Sequence, residues 1–388
     1  MHFKWNLSIN RVLASSVAAL VASTSLYALP KGPCDTKAPE TCCEEPKPGP
    51  FAFAYPMDMG IACPRDFYVH ADGLLLQAKE DGLEFVIKDA NGSGSGAISQ
   101  GTVQGFSDDH SDFGYNPGMR FGIGFFLDHD CWALDFNWTW LNITNYKHGN
   151  QTTSGGTLIP LYATGMGTPP NAFGTNSSSC WNASYNTLDA SLAKPYHVSR
   201  YLVMAPFFGF RAAWIDQHFS VDYSGSASAN RYIHHSDNDF WGFGSRAGLA
   251  TDWILGKGWC LFGNMAFSML FGKFEIDQNL TYPAAVSTVQ DGFDLNYDFY
   301  QNVPNMEIIL GIGWGKYFDK NKYHVGLRAA YEFHEWWDQL NIRKFFSGSL
   351  GENTAGTGVG ATGGYANDTV SRGNLSLNGF SLRLMLDM

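Results

Sequence analysis

From about residue 66 to the end of the chain, apolar side chains recur at every second position rather than every third or fourth. The clearest stretch is GMRFGIGFFLDHDCWALDFNWTWL. Met119, Phe121, Ile123 and Phe125 share one face of an extended segment, with Arg120, Gly122 and Gly124 on the other. Past Asp128-His129-Asp130, Trp132, Leu134, Phe136, Trp138 and Trp140 alternate with Asp135, Asn137 and Thr139. Two such runs around a short polar break predict a tight hairpin with one greasy and one polar face.

The pattern returns at 198–214 and 218–232 around IDQH, at 239–254 and 259–276 around GKG, and at 305–318 and 322–338 around DKNK. A first strand near 66–80 and a last one at 375–388 bring the count to about ten. Longer polar segments, 146–196, 233–238, 277–304 and 341–373, separate the hairpins. Either 146–196 or 277–304 has room for two more strands, so twelve is the alternative. Tight turns alternating with long loops predict an all-β transmembrane antiparallel β-barrel, turns periplasmic and loops extracellular.

A soluble β-sandwich shows the same alternation. The difference lies in the aromatic load of the apolar face. Trp132, Trp138, Trp140, Trp214, Trp241, Trp253, Trp259 and Trp314 all fall on it, many near strand ends. Trp concentrates where hydrocarbon meets headgroups. Gly122, Gly124, Gly311, Gly313 and Gly315 occupy the opposite face, as a narrow lumen demands. The chain is 15% aromatic and 16% charged with a mean hydropathy of −0.17. Soluble domains average about 25% charged. Outside the N-terminus no stretch approaches the ~18 apolar residues of a membrane helix.

The chain ends GFSLRLMLDM, with Phe380, Leu382, Leu384, Leu386 and Met388 in alternation up to the last residue. Chain ends ordinarily fray. A closing strand cannot, because an open edge in lipid leaves backbone groups unsatisfied at several kcal/mol each. The alternation also resembles the C-terminal sorting signal of bacterial outer-membrane proteins: Phe380, Leu382, Leu384 and Leu386 fit it, with Met388 in place of the usual terminal aromatic. They are the expected assembly signal, and the outer-membrane assembly machinery is the expected reader.

Residues 1–28 carry Lys4 and Arg11, an apolar run from Val12 to Val21 and a cleavage-like Leu26-Tyr27-Ala28, a secretory signal peptide. Its removal takes the net charge from −11 to −13. That balance argues against nucleic acid as a partner. Residues 29–64 are rich in Pro, Lys, Glu and Cys and read as an extended periplasmic segment. The barrel is expected over 65–388.

Arg120, Asp135, Arg211, Asp222, Arg246, Asp252, Glu307, Arg328, Glu332 and Arg383 are assigned to the polar faces and are the expected lumen or pore lining. They either set a constriction or pair up and plug the barrel. His234, His235, Asp237 and Asp239 in one loop, and His110 among Asp108, Asp109 and Asp112 in another, allow a barrel protease. No nucleophile motif accompanies them. No cofactor or metal site is expected.

Four stretches resemble the Legionella-type major outer membrane protein family, which includes porins of environmental chlamydiae. They are DGLLLQAKEDGLEFVI (72–87), LDHDCWALDFNWTWLNIT (127–144), PFFGFRAAWIDQ (206–217) and FWGFGSRAGLATDW (240–253). The resemblance implies an abundant, non-enzymatic porin passing small hydrophilic solutes passively, with outer-membrane lipid and lipopolysaccharide as partners. A surface structural protein or adhesin with a plugged barrel is the alternative. Seven cysteines survive signal cleavage, an odd number in an oxidising compartment. Cys34, Cys42, Cys43, Cys63, Cys131 and Cys260 are expected on the periplasmic side, with Cys180 elsewhere. The resemblance favours a disulfide-linked network or homo-oligomer through them, against intrachain pairs plus a buried thiol.

Overall fold

A computed structural model describes residues 55–56, 67–89, 101–106, 113–127, 132–148, 157–162, 176–224, 231–281, 294–319, 322–349 and 364–388. The signal peptide, nearly all of segment 29–64, Cys34, Cys42, Cys43, Cys63 and Cys131, and the His110 group lie outside the described residues.

Ten antiparallel strands close into a cylinder: β2 (Phe67–Glu80), β5 (Tyr115–Leu127), β6 (Trp132–His148), β8 (Asn176–Ala193), β10 (Leu202–Ser224), β11 (Arg231–Gly256), β12 (Trp259–Thr281), β13 (Asp294–Phe318), β14 (Tyr323–Ser349) and β15 (Gly364–Asp387). The ring closes because β15 pairs with β2, from Leu375↔Glu80 to Asp387↔Tyr68. Two short strands, β1 (Tyr55–Pro56) and β9 (Tyr196–Ser199), add to β10 at the turn end.

The sequence expectation of ten strands holds, but three of its parts do not. β10 runs unbroken through Ile215-Asp216-Gln217-His218, which the sequence marks as a turn. Ile215 and Gln217 point inward, while Asp216 and His218 point outward beyond Trp214, where the strand has left the hydrocarbon. Charge on an outward position marks the end of the lipid band there, not the end of the strand. Conversely, β8 lies inside 146–196, which reads as loop. Its outward residues near the loop end are Ser178, Cys180, Asn182, Ser184 and Asn186, so no greasy alternation advertises it. One strand read as two and one strand missed leave the count unchanged. Segment 233–238, also read as loop, belongs to β11.

The register fixes the bore. From His324 the row of paired residues passes through Asp387, Tyr68, Gly124, Asp135, Ser191, Gly209, Arg246, Ser268 and Asn305. It returns to β14 at Trp336, twelve residues above its start. Ten strands at ~4.8 Å spacing with that offset tilt by about 40° and enclose a backbone radius of about 10 Å.

The outward face is apolar between two aromatic levels, Trp253, Trp259 and Trp314 near the short turns and Trp214, Trp241, Phe271 and Tyr300 near the loops. Between them Phe208, Phe210, Phe243, Met265, Phe267, Leu310 and Phe380 are exposed, the surface lipid would cover.

The loop end is filled. A separate three-stranded sheet, β3 (Glu84–Asp89), β4 (Gly101–Gly105) and β7 (Thr157–Pro160), shares no ladder with the wall. Phe85, Val86, Phe106, Phe113, Leu158 and Tyr162 from this region form one buried cluster with inward Trp181, Phe219, Val221, Tyr223 and Ile276. The Tyr223 hydroxyl donates to the Phe85 carbonyl, and the Tyr162 ring meets Phe219 at 5.7 Å. β14 contributes too. Its pairing with β13 stops at Trp336, its ladder to β15 shifts there, and Asp338 takes a left-handed φ of 52°. Beyond that kink β14 reaches the inner faces of β11 and β12. Asn238 donates to the Gln339 carbonyl at 3.1 Å and accepts from the Asn341 N–H at 3.3 Å. Gln278 does the same to Arg343, at 3.2 and 3.0 Å. Two side-chain amides thus replace the ladder that the kink breaks.

Candidate functional site: a charged belt above a lumen chamber

Beneath the plug, inward positions of eight strands carry charge. Arg120 donates to both Glu332 oxygens (3.0 and 2.8 Å), to Asp72 (3.1 Å) and to Thr139 (3.1 Å). Arg383 engages both oxygens of Asp72 at 2.8 Å. Arg211 engages both oxygens of Asp189 at 2.6 Å and reaches Glu307 at 2.5 Å and Asn305 at 2.6 Å. Arg246 meets Glu307 at 2.6 Å. His334 joins the two halves, with one ring nitrogen 3.2 Å from Glu307 and the other 3.0 Å from Glu332. Together these side chains span the barrel from β2 to β14. Most are buried, so each charge depends on its partners: removing one partner of a buried pair costs ~3–5 kcal/mol.

Glycines make room for the long side chains. A Cβ on Gly122 would sit 2.1 Å from His70 and 2.3 Å from Asn137, and one on Gly124 would sit 2.0 Å from the Tyr68 ring. The lumen glycines therefore seat neighbouring side chains and do not widen a channel.

From the belt toward the short turns runs a chamber of about 390 Å³. Its roof is Asp72, Arg120, Glu332 and His334, and it extends down to Ala193, Pro195, Tyr317, His324 and Asp387 beside the turns. Arg328 meets Asp252 at 3.3 Å and lies 4.9 Å over Phe262; Arg246 lies 4.9 Å over Phe207. Asp135 accepts from the Tyr68 hydroxyl at 3.2 Å and from Asn137 at 2.5 Å. His324 lies 2.5 Å from Asp387.

Of the ten sequence-assigned lumen residues, the structure turns Arg120, Asp135, Arg211, Arg246, Asp252, Glu307, Arg328, Glu332 and Arg383 inward and brings them into this chamber and its roof. Asp222 is the correction. β10 is continuous, so even numbers face outward throughout, and Asp222 pairs outside with Arg231 at 2.5 Å. Sequence reasoning missed Asp72, Asp189 and His334. Asp72 is hidden because Leu74 and Leu76, on the same parity, also point inward. Asp189 lay in the unrecognised β8. His334 was legible, two residues from Glu332 on one face.

The His234 group does not assemble. His234 is buried inward against Tyr162 at 4.5 Å, whereas His235, Asp237 and Asp239 face outward. Cys260 carries no disulfide and turns inward, where a Cβ on Gly313 would lie 2.7 Å from its sulfur. Cys180 faces outward on β8. On Phe380, Leu382 and Leu384 the outward side chains are more than half exposed.

The family model for Legionella pneumophila major outer membrane protein precursor matches residues 62–388. Among curated proteins, none matches. Among solved structures, the outer membrane protease OmpT from Escherichia coli is similar at 9% identity and a TM-score of 0.41, over 84% of this chain and 97% of that one. The P. putida toluene transporter TodX is similar at 10% identity and a TM-score of 0.29, over 84% and 91%. A Pseudomonas aeruginosa FadL homologue follows at 7% and 0.23, over 83% and 90%.

Proposed function

Because this chain belongs to the Legionella pneumophila major outer membrane protein family, and so is an outer-membrane β-barrel, we propose that it is a porin with a gated lumen. Small hydrophilic solutes occupy the chamber and pass when the apolar plug at the loop end moves aside and the charged belt beneath it parts. The observation that carries this reading is the chamber itself. It is lined by both signs of charge and runs from the turn end to the belt, while the plug above it shares no ladder with the wall. A sheet held by side-chain packing is displaced without breaking the cylinder. The protein is not an enzyme on this reading; its charges hold one another and position solute.

A second reading has its own support. The belt and plug fill the bore, which suits a structural barrel that displays loops. Disulfide cross-linking in the envelope rests on Cys34, Cys42, Cys43, Cys63 and Cys131, since Cys260 faces the lumen. Planar-bilayer recording separates the two. The gated porin gives brief, small steps that become long and large when residues 84–105 are replaced by a Gly-Ser linker. Folded barrels of both forms that give no steps at all leave the structural reading in place.

A further inference from the structure

Two groups in the chamber have capacity that the belt does not use. Asp135 takes hydrogen bonds from a phenol and an amide, and among the described residues no Lys, Arg or His pairs with it. Arg246 is 7% exposed, and its Nε donates to nothing among the described residues; a carboxylate oxygen of Asp189 lies 4.0 Å from it. A buried guanidinium donor without an acceptor is costly.

These two groups lie on one row of the wall. Asp135 on β6 pairs with Ser191 on β8, Ser191 with Gly209 on β10, and Gly209 with Arg246 on β11. The residues between them are a serine and a glycine, so the wall is low from one charge to the other. Three strand spacings separate the backbones by about 14 Å, and the reach of the two side chains shortens the gap. The row has an anionic end, a small-residue floor and a cationic end with a spare donor.

We propose that the row Asp135–Ser191–Gly209–Arg246 is a binding site for a small extended zwitterion of dipeptide size, its ammonium on Asp135 and its carboxylate on Arg246 Nε. A single amino acid holds its charges too close together to reach both ends, and a simple ion satisfies only one. The inference rests on the reading that solutes dwell in the chamber, and it adds their class.

Isothermal titration of the folded full chain in detergent micelles tests it, with glycylglycine as probe. N-acetylglycylglycine lacks the ammonium and glycylglycinamide lacks the carboxylate. Glycylglycine is expected to bind saturably and each blocked form at least about tenfold more weakly, as loss of one charge-assisted hydrogen bond implies. Asp135→Asn weakens glycylglycine but not its N-acetyl form. Ser191→Leu, which raises the floor, weakens all three. Heat-dependent gel mobility shows that each variant is a closed barrel, and should Arg246→Met fail to fold, the blocked peptides still probe that end. No saturable binding to the wild-type barrel, or equal binding of blocked and free peptides, overturns the site. Conductance without binding sinks this site alone; binding without conductance sinks the transport reading alone.

Discussion

The backbone N–H of Met388 donates to the carbonyl of Phe67 at 3.1 Å, so the last residue of the chain is tied to the first residue of the first wall strand. The β15 ladder to β2 is the seam that joins the two ends of the described wall. Its lipid face carries the cost of any charge placed there. Phe380→Arg is expected to destabilise the barrel by ~2–4 kcal/mol, the range for a cation deep on a lipid face. Asp298→Arg, beyond the aromatic level, should cost far less. Urea unfolding of the two variants in lipid vesicles, read by Trp fluorescence, compares them.

The belt should respond asymmetrically to mutation. Arg211→Met strips Asp189 of its bidentate partner and leaves Glu307 with Arg246 and His334, and a loss of ~3–5 kcal/mol is expected. Adding Asp189→Leu to Arg211→Met should recover part of that loss, because one orphaned carboxylate is then gone. Unfolding midpoints of the single and double variants decide; an equal or larger loss in the double variant contradicts the account.

The plug is an ordinary apolar core in an unusual place. Phe219 touches both Tyr162 and Phe106 across the sheet–wall contact. Phe219→Ala should cost ~3–5 kcal/mol locally, as for large-to-small core changes. Because β3, β4 and β7 are not laddered to the wall, the loss should appear as faster proteolysis of the 84–105 region with little change in global unfolding. A single shared transition would show the plug to be part of the cylinder's cooperative unit.

Outside the aromatic level, Asp216 and Asp239 are register partners on the outward face. Burial, and then the Asp216 charge, push Asp239 up to about 7. A carboxylate raised on folding stabilises the fold while protonated, so stability falls as pH rises from about 4 through 7. Asp239→Asn should flatten that dependence and raise the Tm at pH 8, with little effect at pH 4.5. Melting curves at the two pH values test the sign.

The sequence made the cylinder legible wherever outward side chains meet lipid, since hydrocarbon enforces strict alternation. Met119 to Phe125 and Trp132 to Trp140 are the examples. It failed where strands continue past the lipid. There Asp216 and His218 imitate a turn, and Ser178 to Asn186 imitate a loop, because water accepts any outward residue. Inward positions are harder to read in both zones. Leu74 and Leu76 share a parity with Asp72, so the plug's demand for apolar partners blurs the polar face. The plug itself was not legible, because Phe85, Phe106, Leu158 and Tyr162 come from three separated segments with no shared period.

The twelve-residue offset between His324 and Trp336 sets the diameter of the tube through backbone pairing alone, without reference to what fills it. The occupancy of the interior is therefore an independent variable. Trimming arginines and plug residues would hollow the same cylinder rather than redraw it, and a family built on this register can range from blocked to conducting by side-chain substitution while its lipid-facing exterior stays as it is.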